Sequence, residues 1–252
     1  MEQNKQNLDN QRNDIIAGRN PVMEAIRSGR SIESILVAKG ERSGSVVAII
    51  AKAKQKNIPV KDVDSKKLDF LAKGVNHQGI VAQCAVKEYS TLEDIFALAE
   101  ERGESPFIIV LDKIEDPHNL GAIIRTAECA GAHGVIIPER RSAGLSYTVE
   151  KTSVELDSVT YKMRKNKISA VLQKLKDKGI WVYGADMDGE HYKKVNFDGA
   201  VALVIGNEGK GISPLVAKDC DVIVSLPMKG KINSLNASVA AGILMYEIAD
   251  KR

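Results

Sequence analysis

Cysteine is scarce. The three residues, Cys84, Cys129 and Cys220, are far apart and odd in number, and no Cys-x-x-Cys spacing occurs. Neither a disulfide framework nor a thiolate zinc site is encoded, and a reducing compartment is expected. Aromatic residues make up only 4% of the chain, so the core has to come from Ala, Ile, Leu and Val, a composition suited to buried parallel sheet flanked by helices. Charge of one sign is not in excess: 36 Lys and Arg stand against 33 Asp and Glu, a net +3, too balanced to mark a partner by itself. Long hydrophobic runs are missing. Met1 to Asp14 holds no apolar signal core, and the apolar stretch Val239 to Tyr246 is far too short for a membrane span, so a soluble cytoplasmic protein is expected. The four histidines, His77, His118, His133 and His191, lack metal-ligand spacing, and no metal site is expected.

What is present divides the chain. Its 252 residues suit one large domain or two modest ones. Residues 1–85 carry 14 basic against 9 acidic side chains, residues 86–105 carry 2 against 6, and residues 106–252 carry 20 against 18. Residues 1–13 form a polar tail, 14–86 a short domain of alternating helices and strands, 87–105 an acidic linker ending in the break Gly103-Glu104-Ser105-Pro106, and 106–252 a larger domain. Periodicity predicts a helix over Val22–Ser28 after an Ile15–Pro21 turn, strands over Ser34–Ala38, Ile58–Val63 and Gly79–Val86, and helices over Val46–Lys56, Ser65–Leu71 and Leu92–Arg102. Beyond Pro106, apolar strands (Phe107–Leu111, Gly134–Ile137, Ile180–Tyr183, Val201–Ile205, Val222–Leu226) alternate with helices (Leu120–Ala130, Ala170–Lys178, Pro214–Lys218 and one from about Leu235). This is an α/β fold, an open parallel sheet with helices on both faces.

In such a sheet ligands lie beyond the carboxyl ends of the strands, which directs attention to three loops. The first, Asp112 to Arg125, puts Asn119, Gly121 and a lone Arg125 at the start of a helix; Asn119 is open to reading as an ordinary N-cap or as a functional amide. The second, Ile205-Gly206-Asn207-Glu208-Gly209-Lys210-Gly211, sets three glycines around one carboxylate. It matches neither the dinucleotide fingerprint nor the phosphate P-loop, and a plain strand–helix connection stays open beside a ligand cradle. The third, Leu226 to Gly242, leads into a helix with small residues Ala237, Ala240 and Gly242, read first as close helix packing or a subunit interface. Ser234 and Asn236 at its mouth do not fit packing alone. Cys129 and Cys220 are expected to be buried small hydrophobes.

Together the three loops are specific. Asn119-x-Gly121-x-x-x-Arg125, Gly206-Asn207-Glu208-Gly209-x-Gly211 and Pro227-Met228-x-Gly230-x-x-x-Ser234-Leu235-Asn236-x-Ser238 resemble the three signature motifs of the SpoU family of RNA ribose 2′-O-methyltransferases, in the same order and at similar separations. Ile16-x-Gly18-x-x-x-Val22-x-Glu24-x-Ile26 and His77-Gln78-Gly79-Ile80 resemble the ends of that family's N-terminal RNA-binding domain, which is similar to ribosomal protein L30e. The two-domain arrangement is most similar to the enzymes that methylate a guanosine ribose in 23S rRNA.

The resemblance implies a C-terminal α/β knot, S-adenosylmethionine as methyl donor and a homodimer. It implies a cofactor site at Ile205, Gly206, Leu226, Met228, Ser234 and Leu235, and a catalytic set of Asn119, Arg125, Glu208, Ser234 and Asn236. A ribose hydroxyl is a poor nucleophile that has to be positioned and relieved of its proton. A guanidinium, with a pKa above about 12, is an expensive proton acceptor, so Arg125 is read as a clamp on the target phosphate, with Asn119 and Asn236 orienting the ribose and Glu208 holding the loop or Arg125. The chain departs from the family pattern at Ser153-Val154-Glu155-Leu156 and through Asp157 to Lys167. Three alternatives stay open: action on tRNA or another rRNA site, a non-catalytic RNA-binding homologue on account of residues 153–167, and a Rossmann-type oxidoreductase, which the missing G-x-G-x-x-G disfavours.

Overall fold

The structure is a computed structural model. It describes residues 14–40, 44–85, 89–138, 142–145, 149, 159–163 (backbone alone) and 168–252, and the chain divides into two compact units, one formed mainly by residues up to 88 and one by residues from 89 onward.

The first unit is a four-stranded mixed sheet. Its elements are β1 (Ile15–Ala17), α1 (Arg19–Ser28), β2 (Ile32–Ala38), α2 (Gly44–Gln55), β3 (Val60–Val63), α3 (Ser65–Ala72) and β4 (Ile80–Cys84). Strand order is β1-β4-β2-β3, with only β2 and β3 parallel. Alternation along the strands sorts side chains to two faces. Ile35, Val37, Ile80 and Ala82 meet Val22, Ile26, Ile49 and Ala53 of α1 and α2; Leu36 and Val81 meet Leu68 and Ala72 of α3. Strand β1 falls where the sequence suggests a turn. Three residues carry too little periodic signal, and only pairing of Ile15, Ile16 and Ala17 with Gln83, Ala82 and Val81 makes them a strand.

The second unit comprises α4 (Leu92–Arg102), β5 (Phe107–Asp112), α5 (Pro117–Cys129), β6 (Gly134–Pro138), β7 (Val159–Met163), α6 (Ile168–Asp177), β8 (Trp181–His191), a 3-10 turn (Tyr192–Lys194), β9 (Val201–Gly206), α7 (Pro214–Asp219), β10 (Val222–Ser225) and α8 (Ala237–Asp250). All six strands are parallel, in the order β10-β8-β9-β5-β6-β7. The central strands β5 and β9 are buried throughout, as a doubly covered parallel sheet requires. Helices α4, α6 and α7 cover one face through Leu92, Ile95, Val171, Leu172, Leu175 and Val216. Helices α5 and α8 pack on one another and α8 on β9. The acidic segment read as a linker thus contributes α4 to this core; a capping box between Thr91 and Asp94 starts the helix, and Gly103 at positive φ ends it.

Two further differences from the sequence reading concern strands. β7 lies in the stretch given no element, and the rest of the departing segment 153–167 lies outside the described residues. β8 runs eight residues past the predicted Tyr183. The extension is irregular against its neighbour: Gly184 pairs with Ile223 and Glu190 with Val224, so residues 185–189 are opposite no residue of β10. The chain leaves β5 toward β6 and β7 on one side, whereas β9, β8 and β10 lie on the other. The sheet order therefore reverses beside β5, and its loops at that point are where a ligand site is expected.

Candidate active site

The register pairs Asp112, the last residue of β5, with Gly206, the last of β9. Asp112 is buried, and its Oδ2 accepts a 2.7 Å hydrogen bond from the Ser213 amide. This anchors the far end of the glycine-rich loop. The near end closes by reciprocal backbone bonds, Asn207 N to Gly211 O at 3.1 Å and Gly211 N to Asn207 O at 2.8 Å, while Asn207 Oδ1 accepts from Gly209 N at 3.0 Å. The closure needs glycine at two positions. A Cβ on Gly206 would stand 2.1 Å from the Gly211 carbonyl carbon, and Gly211 has φ +61°, with the Asp186 carboxylate 2.7 Å from its absent Cβ.

The turn presents Glu208 to Asn119. The N-cap of α5 is Asp116, whose Oδ1 accepts from His118 N at 3.0 Å, and Pro117 occupies the first turn. Asn119 is therefore not the cap; it projects from the first turn of the helix and is buried. Its Nδ2 donates to Glu208 Oε1, and its Oδ1 accepts a 2.9 Å bond from Asn236 Nδ2. Asn236 is itself the N-cap of α8, its Oδ1 accepting from Ser238 N at 2.9 Å and Ser238 Oγ at 2.6 Å. One side chain from each of the three loops thus enters a single hydrogen-bonded chain. Glu208 is engaged by Asn119 rather than by Arg125.

Arg125 lies six residues beyond Asn119 on α5, roughly 120° around the helix. It is exposed and stands outside that chain. Ser234 is also exposed and lines the neighbouring cavity.

A cavity of about 440 Å³ opens beside Glu208. All six residues expected at a cofactor site, Ile205, Gly206, Leu226, Met228, Ser234 and Leu235, line it. The volume falls in the range of small-molecule sites, and the mixture of apolar walls with convergent polar groups is typical of them. Gly206, Gly209 and Gly211, which carry no side chains, form part of its wall, so a ligand there can approach the main chain closely. The sequence reading missed Ala185, Asp186 and Met187, which also line the cavity. They belong to the part of β8 that has no partner on β10, and irregular strand segments of this kind re-aim side chains beside functional sites. Ala237 and Ala240 line the cavity too, whereas Gly242 faces α5, where its absent Cβ would lie 3.6 Å from Thr126.

The cysteines stand apart from this chemistry. Burial pushes the Cys220 thiol up to about 12, while Cys129, expected inside, is exposed near the end of α5; the core face of that helix is supplied by Leu120, Ile123, Ile124 and Ala127 instead. Among the described residues no helix is long and apolar enough to cross a membrane.

The SpoU rRNA methylase family model matches residues 106–246, and a model for the substrate-binding domain of RNA 2′-O ribose methyltransferases matches residues 15–90. The chain is 44% identical over 243 residues to YacO of Bacillus subtilis, a protein named for the TrmH family of tRNA/rRNA methyltransferases, covering 96% of this chain and 97% of that one. A solved RNA 2′-O ribose methyltransferase is 25% identical with a TM-score of 0.53, covering 96% of this chain and 90% of its own. The SpoU methyltransferase AviRb of Streptomyces viridochromogenes, solved with S-adenosylmethionine, shares the fold at a TM-score of 0.56 and 24% identity, covering 94% and 89% of the two chains. Sheet, motifs and matches agree: this chain belongs to the SpoU rRNA methylase family, and its C-terminal unit has the α/β knot fold of the SPOUT methyltransferases.

Proposed function

We propose that the protein transfers a methyl group from S-adenosylmethionine to the 2′-hydroxyl of a guanosine ribose in 23S rRNA. The observation that carries this reading is the hydrogen-bonded chain Asn236–Asn119–Glu208, set at the rim of the cavity that all six expected cofactor residues line. When bound, S-adenosylmethionine supplies an electrophilic methyl group. The chain's own residues do the rest. Ile205, Leu226, Met228 and Leu235 provide apolar walls, and Gly206 with the turn after it offers backbone groups. Asn119 uses both ends of its amide on its neighbours, so its part is to hold Glu208 and Asn236 in place. Exposed Arg125 is suited to clamp the target phosphate through its planar fork.

The division of labour follows the two units: residues 14–86 hold RNA, and residues 106–252 carry the transfer. A homodimer is supported by α8, which exposes Val239 (49%), Ile243 (40%) and Tyr246 (54%) at helical spacing, with Leu235 ahead of them. The reading places the enzyme in the cytoplasm, where its RNA is.

The test is methyl transfer from labelled S-adenosylmethionine to unmodified 23S rRNA, with tRNA in parallel and Arg125→Ala as control, followed by mapping of the modified ribose. Labelling of one 23S guanosine, lost in the control, is the expected result. Labelling of tRNA alone would move the substrate, and cofactor binding without labelling of either RNA would replace the enzyme with a non-catalytic RNA-binding homologue.

A further inference from the structure

Only 4% of the chain is aromatic, yet one phenylalanine stands on the surface. Phe70 is 78% exposed, more than any other large hydrophobic side chain among the described residues. It is in the last turn of α3, whose half-buried Leu71 packs beside the two buried residues Leu68 and Ala72. Leu68 and Ala72 are each two positions from Phe70, about 200° around the helix, so Phe70 is on the side of α3 away from the unit's core. A helix of this kind normally puts a polar residue there. The ring therefore has no packing duty within its own unit.

Its neighbours are cationic. Lys66 and Lys67, both exposed, lie four and three residues before it, which places them on the same face. Lys73, also exposed, follows three residues after. The single carboxylate of α3, Asp69, is drawn aside: His77 accepts a 2.9 Å bond from Gly79 N at Nδ1, which leaves Nε2 to donate to Asp69 at 3.0 Å. This side of α3 is thus a bare aromatic face among ammonium groups.

That combination matches one chemistry. An unpaired nucleobase presents a flat π-face flanked by phosphates, and RNA is read chiefly where its bases are splayed out and stacked on aromatic side chains. Stacking is tolerant of sequence, and nearby Lys groups neutralise the backbone. We propose that Phe70 is the stacking platform for an unpaired base of the RNA substrate, with Lys66 and Lys67 on the adjoining phosphates. The proposal rests on the reading of the protein as an RNA methyltransferase and adds to it the face, the residue and the mode of contact.

The experiment measures binding of the full-length protein to an unmodified 23S rRNA transcript and to a tRNA transcript over a range of salt. Phe70→Ala is expected to weaken binding of the substrate RNA roughly 5- to 100-fold, with the salt slope unchanged. Phe70→Tyr should restore it. Lys66→Gln should instead flatten the slope by about 0.7, as expected for one single-strand phosphate contact. Melting temperature and S-adenosylmethionine binding should be unaltered in all three, since none touches the core or the cavity. The proposal is overturned if the wild type binds and methylates RNA and Phe70→Ala does so within twofold, or if Phe70→Ala changes the oligomeric state while leaving RNA affinity intact. A wild type that neither binds nor methylates either RNA overturns the enzymatic reading itself, and the platform with it.

Discussion

Gly206→Ala adds one methyl group at the point where the glycine-rich turn folds back on its own strand. The new Cβ would lie 2.1 Å from Gly211 C, 2.2 Å from Gly211 O and 2.3 Å from Ile212 N, all backbone atoms, whereas ordinary contact begins at 3.4 Å. No rotamer relieves this. The turn has to retreat by roughly 1 Å or more, in a closely packed region with little slack. Retreat strains the paired bonds between Asn207 and Gly211 and the 2.7 Å anchor from Ser213 N to Asp112, and it draws Glu208 away from Asn119. Overpacking costs about 1–3 kcal/mol and each disturbed hydrogen bond about 1 kcal/mol, so the expected loss is about 3–5 kcal/mol. For a unit of this size that lowers the melting temperature by about 10 °C.

The assay is thermal unfolding with and without S-adenosylmethionine. A ligand at a hundred times its Kd should add about 2.7 kcal/mol to the wild type, and this protection should largely vanish in the variant. Gly209→Ala is the control from the same turn: its Cβ would meet only Asn207 Oδ1, at an ordinary 3.6 Å, and it should melt within about 1 kcal/mol of the wild type. Wild-type melting and wild-type ligand protection in Gly206→Ala would refute the close backbone approach and the cavity geometry built on it.

Three other outcomes follow from the same geometry. Asn236→Asp keeps the acceptor that caps α8 but cannot donate to Asn119; it should stay folded and lose about tenfold or more in kcat, while Asn236→Ala should in addition lose about 1 kcal/mol of stability, and normal turnover in the Asp variant would remove the amide chain from the mechanism. Arg125→Lys keeps the charge but loses the planar fork, so single-turnover methylation should slow by about tenfold or more; near-normal rates would sink the clamp. Burial holds the His133 imidazole below its ordinary pKa of 6.5, so below that pH the unfolded chain takes up a proton the folded one does not. Stability should then fall as pH drops from about 6.5 toward the folded value, and a denaturant series on His133→Gln should show a flatter profile; an identical slope would clear His133 of the effect.

Much of the fold was legible because it is written in local periodicity. The helix over Leu92–Arg102 has the same bounds in sequence and structure, and the wholly apolar runs Phe107–Leu111 and Val201–Ile205 declare a sheet covered on both faces. The glycine-rich turn and the Ser234–Asn236 stretch were legible as loops with an unusual composition, and their resemblance to the SpoU motifs supplied the six residues expected at a cofactor site, all of which line one cavity.

What the sequence determined by itself, then, was which segments are helices, strands and chemistry-bearing loops, since helix and strand periods and glycine's tolerance of close approach act over a few residues. Tertiary structure alone decided the partners. β1 exists only as a neighbour of β4. Ala185, Asp186 and Met187 reach the cavity from the stretch of β8 that lies opposite no residue of β10. Asn119 sits 89 positions from Glu208 and 117 from Asn236, and an amide gives no local sign of which distant group it will meet. The order of the strands in the sheet, by reversing beside β5, brings those three loops to one edge and turns separate polar residues into a site.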